Sequence, residues 1–335
     1  MSELRRVVRF AVLVAAVAAV GATATPLRIS LPPVLESLPI AFAESWGMFD
    51  DAGLDVDVVG ITDNQERSTA LLTGNLDAVL ADLTTAVLDY CTSRSVVVVS
   101  SAASTPPAGG LRLALVSHLG FGPSSLPDLI ANDQYIAVTY CTDEEYLLDQ
   151  LLAANKLPRA WLTRYTYFSD TLQVAVWFGA KTMPVAVLLE PYYSYIRTLI
   201  PVSGVPAQLV VLSDFSDLQA TPRVLVFRSD VLARRSADVA TFLRVYDEAV
   251  KRMNTTPRDE IINVGLDVVI GLFFEGANRA TVQQQTLDAI SIPTFDAPGS
   301  LSRETFDSMT DWMHRKGYTS GSVTFEEFTR FDLLP

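Results

Sequence analysis

The chain has 335 residues, 49% hydrophobic and 19% charged, which is long enough for two ordinary globular domains and too apolar for disorder. A formal net charge of −13 repels phosphate backbones and anionic lipid heads, so nucleic acid is an unfavourable partner.

At the start of the chain, Arg5, Arg6 and Arg9 precede an apolar run at 10–22 and the small-residue pattern Ala22-Thr23-Ala24, with Thr25-Pro26 after it. This order of features reads as a secretory signal peptide over residues 1–24, and the run is shorter than the about 20 apolar residues of a membrane span. No cysteine follows the run to serve as a lipoprotein cleavage site. Removing a +2 segment from the −13 chain leaves −15, and the expected product is a soluble periplasmic protein that is not a lipoprotein. Cys91 and Cys141 are the only cysteines. Export would permit them to pair, but two buried thiols are the preferred reading.

The mature chain alternates short apolar strands with helices. A strand at 27–31 leads into a helix at 38–49, where Phe42, Trp46 and Phe49 share one face. Gly53 then supplies the turn into the alternating strand 54–59. A helix at 66–73, a strand at 76–80 and a helix opened by Asp82 follow. Asp82 is expected to cap that helix by accepting from its first backbone N–H groups. The β-branched run 96–99 suits a strand buried on both faces. A further strand at 111–116 closes the first series, before Gly120-Phe121-Gly122-Pro123. The second series has strands at 135–140, 161–168, 185–189 and 209–212, and helices at 142–155 and 170–179. Beyond Pro222 a strand at 224–227 begins a tail of helices at 236–253, 259–274, 280–290 and 302–316.

Such alternation favours an α/β fold of two lobes, each a mostly parallel sheet flanked by helices, with the helical C-terminal tail packed on lobe 1. The expected division is 25–117 together with 221–335 as a discontinuous lobe 1, and 118–220 as lobe 2. Ligands of open α/β sheets sit beyond the carboxyl ends of the strands, so two such edges facing each other would form a cleft.

Several motifs carry a resemblance. Gly47, Phe49, Gly53, Leu54 and Val56 match a "G-x-F-x-x-x-G-L-x-V" turn, and Leu71, Gly74 and Asp77 match "L-x-x-G-x-x-D". Glu145, Tyr146, Leu151 and Leu152 match "E-Y-x-x-x-x-L-L", and Glu190-Pro191 an "E-P" strand end. Over residues 27–255 the chain thereby resembles the NMT1/THI5-like and SsuA-like solute-binding proteins of ABC importers. Met183-Pro184 departs from that pattern, where the family often has an Asp. The resemblance implies a type II periplasmic binding protein that closes two lobes around a small solute and delivers it to a membrane permease, working as a monomer without cofactor or metal.

The loops that would line such a cleft offer Pro33, Glu36, Ser37, Asp63, Asn64, Asp82, Leu83 and Thr84 from the first lobe. The second lobe offers Tyr140, Cys141, Thr142, Ser169, Asp170, Glu190 and Tyr192. Asp82, Thr142, Ser37 and Asp170 are equally placed to cap helices, and Tyr192 to pack the lobe. Acids dominate these loops, and Arg67 is the nearest cation. The expected cargo is accordingly a neutral or cationic heteroaromatic, of vitamin-precursor type, held by tyrosine stacking and acidic acceptors. The alternative within the same fold is a sulfonate, taurine or nitrate binder. Two other classes compete: a THI5-like pyrimidine-synthesising enzyme and a secreted ligand sensor. The enzyme branch relies on a "CCCFC" motif that this chain lacks, and there is no nucleophile elbow, His-Glu-x-x-His or P-loop. His118 and His314 stand far apart.

Overall fold

A computed structural model describes residues 25–157, 162–199, 208–274, 282 and 284–335; the expected signal peptide lies outside them. The first segment comprises β1 (Leu27–Ser30), α1 (Leu38–Ser45), α2 (Met48–Asp51), β2 (Val56–Val59), α3 (Asn64–Leu72), β3 (Ala78–Ala81), α4 (Leu83–Ser93), β4 (Val96–Ala102) and β5 (Ser104–Thr105). The second comprises β6 (Leu113–His118), α5 (Leu126–Ala131), β7 (Ile136–Thr139), α6 (Asp143–Ala154), β8 (Tyr165–Phe168), α7 (Thr171–Gly179), β9 (Val185–Leu189), α8 (Tyr192–Thr198) and β10 (Leu209–Ser213). The chain then returns through β11 (Arg223–Arg228), α9 (Ser229–Thr255), α10 (Leu266–Phe273), α11 (Gln284–Ala289), β12 (Thr294–Phe295), α12 (Arg303–Lys316) and α13 (Phe325–Phe328).

Two five-stranded sheets result, ordered β2-β1-β3-β11-β4 and β10-β6-β9-β7-β8. Each is mostly parallel in its early strands but is crossed by an antiparallel one: β11 runs against β3 and β4, and β6 against β9 and β10. The strand expected at 111–116 to finish the first lobe is β6 of the second sheet, so the chain crosses over ahead of it. A small ribbon pairs β5 with β12, tying that crossover to the tail.

Local sequence explains most of the elements. The helix expected at 38–49 is two helices, because Gly47 adopts φ 69°, which only glycine enters without cost. Gly53, at φ 73°, makes the expected turn into β2. Phe49 is buried and stacks on Phe242 of α9 at 5.0 Å between ring centroids. Trp46 is only half-buried and lies under the Arg252 guanidinium at 3.9 Å. The helix expected at 259–274 begins with a π-helical turn at Glu260–Val264 and continues as α10. At their junction a Cβ on Gly265 would overlap the Phe42 ring and approach the Ile261 carbonyl to 2.7 Å.

One apolar core runs under both sheets, from Leu27 and Phe42 through Ala137 and Phe178 to Phe242 and Phe273. The opposite face of the first sheet packs against α4, α12 and α13 through Leu83, Met309, Trp312 and Phe328. The tail therefore packs on the first lobe as expected, and it also reaches the second. Lys316 of α12 is 3% exposed and forms ion pairs with Glu145 and Asp149 of α6, the latter at 2.7 Å. Tyr318 donates to Glu145, and Trp312 Nε1 to Asp149 at 2.8 Å. On the other flank Tyr192 donates to the Phe273 carbonyl at 2.9 Å and Ser194 to that of Ala289 at 3.0 Å.

Candidate ligand-binding cleft

The two sheets meet at the ends the sequence pointed to, but the chemistry there differs from a row of helix caps. Asp82 stands at the head of α4 and makes no side-chain cap bond. Its carboxylate instead forms an ion pair with Arg223, the first residue of β11. The sheet register explains this placement: Val224 pairs with Ala81 in antiparallel sense, which sets the next residues, Arg223 and Asp82, side by side.

Arg223 reaches across to the second lobe. Its Nη2 donates to Glu144 Oε1 at 2.6 Å, and its Nη1 lies 4.0 Å from Asp143 Oδ2, both acids in the first turn of α6. Backbone and hydroxyl groups close the same seam. Thr84 Oγ1 donates to the Cys141 carbonyl at 2.8 Å, Thr84 N–H to Asp143 Oδ1 at 3.4 Å, and Asp143 N–H to Asp82 Oδ1 at 3.4 Å. Asp82, Thr84, Cys141, Thr142, Asp143, Glu144 and Arg223 are all buried. Nearby Glu36, also buried, accepts from Ser104 at 2.8 Å and favours the charge on Arg223.

The other antiparallel strand repeats the arrangement. Glu190 N–H donates to the Arg112 carbonyl at 3.0 Å, so Arg112, just before β6, lies at the carboxyl end of β9. Arg112 Nη1 donates to the Thr221 carbonyl at 3.2 Å, joining the two crossovers. A cavity of about 290 Å³ opens there, lined by Ser104, Arg112, Leu147 and Phe215 among others. A larger groove of about 500 Å³ follows the edge strand β2 and α10, away from the lobe junction.

Burial shapes the electrostatics. Desolvation, and then the neighbouring Glu144, raises Asp143 to about 7. Desolvation also raises Glu144 and lowers Arg223. A second buried cation, Arg67, donates to the carbonyls of Ile61 at 2.6 Å and Thr62 at 3.2 Å, and to Asn64 Oδ1. Burial and then the like charge of Arg223 lower it to about 10, against the attraction of Asp63, Asp89 and, from the second lobe, Asp170.

The expected site residues thus separate. Glu36, Asp82, Thr84, Cys141 and Thr142 converge on the seam, while Asp63, Asn64 and Asp170 gather near Arg67. Asp63 caps α3 by accepting from Gln65 and Glu66 N–H at 2.9 Å, and Asp170 caps α7 from Gln173 N–H at 2.7 Å. Ser169 accepts from Gln173 Nε2 at 2.9 Å. Ser37 does not cap its helix, since its hydroxyl donates to the Pro32 carbonyl at 2.6 Å, and Thr142 likewise turns to the Thr139 carbonyl at 3.0 Å. Pro33 is buried in the loop after β1, and Leu83 is core packing. Tyr192 is a correction: fully buried and bonded to Phe273, it presents no tip to a solute. Glu190 is held by Ser194 Oγ at 2.8 Å. Tyr140 stays 40% exposed, edge-on to Tyr167 and Tyr318 at the rim. Cys91 and Cys141 are both free thiols, the second buried and the first half-buried.

Sequence reasoning missed Arg112, Arg223 and Glu144. The signal available was a charged residue at the threshold of an apolar strand, as in Arg223-Val-Leu-Val-Phe and Arg112-Leu-Ala-Leu-Val.

No family model and no curated relative matches the sequence. Solved structures do match in shape. The alkanesulfonate-binding protein SsuA of Xanthomonas axonopodis pv. citri, bound to MOPS, superposes with a TM-score of 0.67 at 16% identity over 91% of this chain and 98% of its own. The ligand-binding component of an ABC-type import system from Staphylococcus aureus, with zinc bound, gives 0.68 at 13% identity over 92% and 97%. The periplasmic nitrate-binding protein NrtA of Synechocystis gives 0.64 at 12% over 92% and 87%. The fold is that of the type II periplasmic binding proteins. Its two sheets and crossing antiparallel strands account for the position of the seam. Among the described residues no group of three or more His, Cys, Asp and Glu side chains could hold a metal ion, and no helix is long and apolar enough to cross a membrane.

Proposed function

We propose that this chain is the extracytoplasmic solute-binding protein of an ABC importer, and that its cargo is a small organic solute with an anionic head of the sulfonate class. It closes on the solute at the lobe junction and passes it to a membrane permease. The observation that carries this reading is Arg223, buried at the seam with Arg112 beside it. A neutral or cationic cargo was expected because the cleft loops offered almost no cation beyond Arg67, and these two arginines weaken that premise. The binding of MOPS by SsuA and the nitrate specificity named for NrtA point the same way.

A heteroaromatic, cationic solute is kept as a second reading on one ground: Glu36, Asp82, Asp143 and Glu144 outnumber the arginines around them. Export through residues 1–24, residence in the periplasm as a monomer, and lobes that divide near the two crossovers belong to the same proposal. A permease as partner, rather than a sensor receptor, completes it. Titration calorimetry on the mature protein decides between the cargoes, using alkanesulfonates, taurine and nitrate against pyrimidines and flavins. Saturable binding of an anion alone supports the main reading. Binding of a pyrimidine or flavin alone overturns it in favour of the second.

A further inference from the structure

At the seam the lobes are joined by the protein's own charges, and Arg223 is the cation on which those charges converge. Glu144 takes a single edge of the guanidinium, through Nη2 at 2.6 Å. Arg223 Nε is buried with no hydrogen-bond partner, while Asp143 and the Thr221 hydroxyl beside the seam face one another. Orphaned polar atoms at this depth are rare in folded proteins and mark places where a partner is expected. An oxyanion with two or three oxygens could bridge Nε and Nη2, the paired geometry in which arginine binds such groups most strongly. Glu144 does not make that pair of bonds.

We propose that Arg223 is the anion receptor of the cleft and that Glu144 occupies it as an internal stand-in, so that an entering oxyanion displaces Glu144 and a proton from solvent follows onto the displaced carboxyl. This rests on the small-anion reading above. The proton is required by the surroundings. Asp82 from α4, Asp143 from α6 and Glu36 from the loop after β1 all face the site, with Tyr246 of α9 beyond Glu36 and Cys141 beside Asp143. Arg112 is the other cation acting on Asp143 and Glu144, and Arg67 of α3 repels Arg223 itself. The Thr84 hydroxyl donates to a backbone carbonyl, and that of Thr142 lies between the Thr139 carbonyl and Glu144, where it favours the carboxylate. Once its guanidinium is taken, Glu144 is a buried carboxylate among other carboxylates, and it neutralises. Burial already raises it before any solute enters.

The test is titration calorimetry with methanesulfonate and nitrate at pH 6 to 9, in two buffers of different ionisation enthalpy that contain neither sulfonate nor phosphate. Wild type should take up close to one proton per anion, with affinity falling about tenfold per pH unit on the alkaline side. Glu144→Gln should bind with no buffer-dependent heat and a flat pH profile. Arg223→Gln should lose about a hundredfold in affinity, the worth of two charge-assisted hydrogen bonds. Should Arg223→Gln not fold, the pH profile of Glu144→Gln still decides. Anion binding that is equal in wild type and Arg223→Gln, or that exchanges no proton in wild type, overturns this inference and leaves the cargo reading standing. If no anion binds wild type at any pH, the cargo reading falls and the inference falls with it.

Discussion

Glu190→Gln isolates the cost of a buried charge at the lobe junction, away from the Arg223 cluster. Glu190 is 5% exposed, and among the described residues its carboxyl hydrogen-bonds to Ser194, accepting from its N–H at 3.2 Å and lying 2.8 Å from its hydroxyl, whose one proton the Ala289 carbonyl at 3.0 Å also attracts. Burial raises it from 4.5 to about 7, against the opposing pull of those hydrogen bonds and of Arg197. In the unfolded chain it titrates normally, so between these values the folded state binds the extra proton. Stability is therefore full below 4.5, falls as the pH rises towards 7, and is flat above. The charged form is disfavoured by about 3 kcal/mol at pH 8, from 1.36 kcal/mol per pH unit. Glutamine matches the protonated acid in shape, keeps an acceptor for the Ser194 N–H and offers a donor to the Ser194 hydroxyl oxygen. The variant should gain about 3 kcal/mol over wild type at pH 8, which is about 6 °C in Tm for a chain of this size. At pH 4.5 it should gain almost nothing. Urea denaturation at the two pH values measures the difference directly. An equal loss at both would refute the reasoning, because it would mean that the carboxylate is charged and paired in the folded state.

Four further outcomes follow from the same physics. Lys316→Met strands Glu145 and Asp149 between α12 and α6, and should cost about 3–5 kcal/mol in chemical denaturation, the usual penalty for breaking a buried ion pair from one side. Gly265→Ala drives a methyl into the Phe42 ring and the Ile261 carbonyl, and should cost about 1–3 kcal/mol, seen as a lowered denaturation midpoint with unchanged slope. Cys141 is buried and its thiol is pushed far up by desolvation, while Cys91 is half-buried and also raised by desolvation but open to reagent, so Ellman's reagent at pH 8 should label Cys91 first. Glu144→Gln, by loosening the seam, should speed labelling of Cys141 without changing Cys91.

The fold was legible because its signals are local. Alternation in Leu54-Asp-Val-Asp-Val, the turn at Gly53 and the β-branched run before Ser100 each depend on a few neighbours, and each produced the expected feature, with strand ends within three residues of expectation. The exceptions have local or tertiary causes that can be named. Gly47 splits a helix through its left-handed backbone, and the close approach of Phe42 accompanies a π-helical turn ahead of Gly265. The capping assignments divide for a reason of the same kind. Asp63 and Asp170 cap as their spacing implied, whereas Asp82 is drawn off by a charge 141 positions away in sequence, which no local pattern could reveal.

What the sequence determined by itself, then, was the succession of elements, the separation into two α/β units, and the acidic loops at the carboxyl ends of the parallel strands. Strand direction was decided only in three dimensions. Period and propensity are the same read forwards or backwards, so nothing in Arg223-Val-Leu-Val-Phe says that it runs against its neighbours. Because β11 and β6 do run against them, their amino ends arrive where the carboxyl ends of β3 and β9 stop. That reversal puts Arg223 and Arg112 at the lobe junction and changes the charge of the cleft from one the loops describe to one the sheets define.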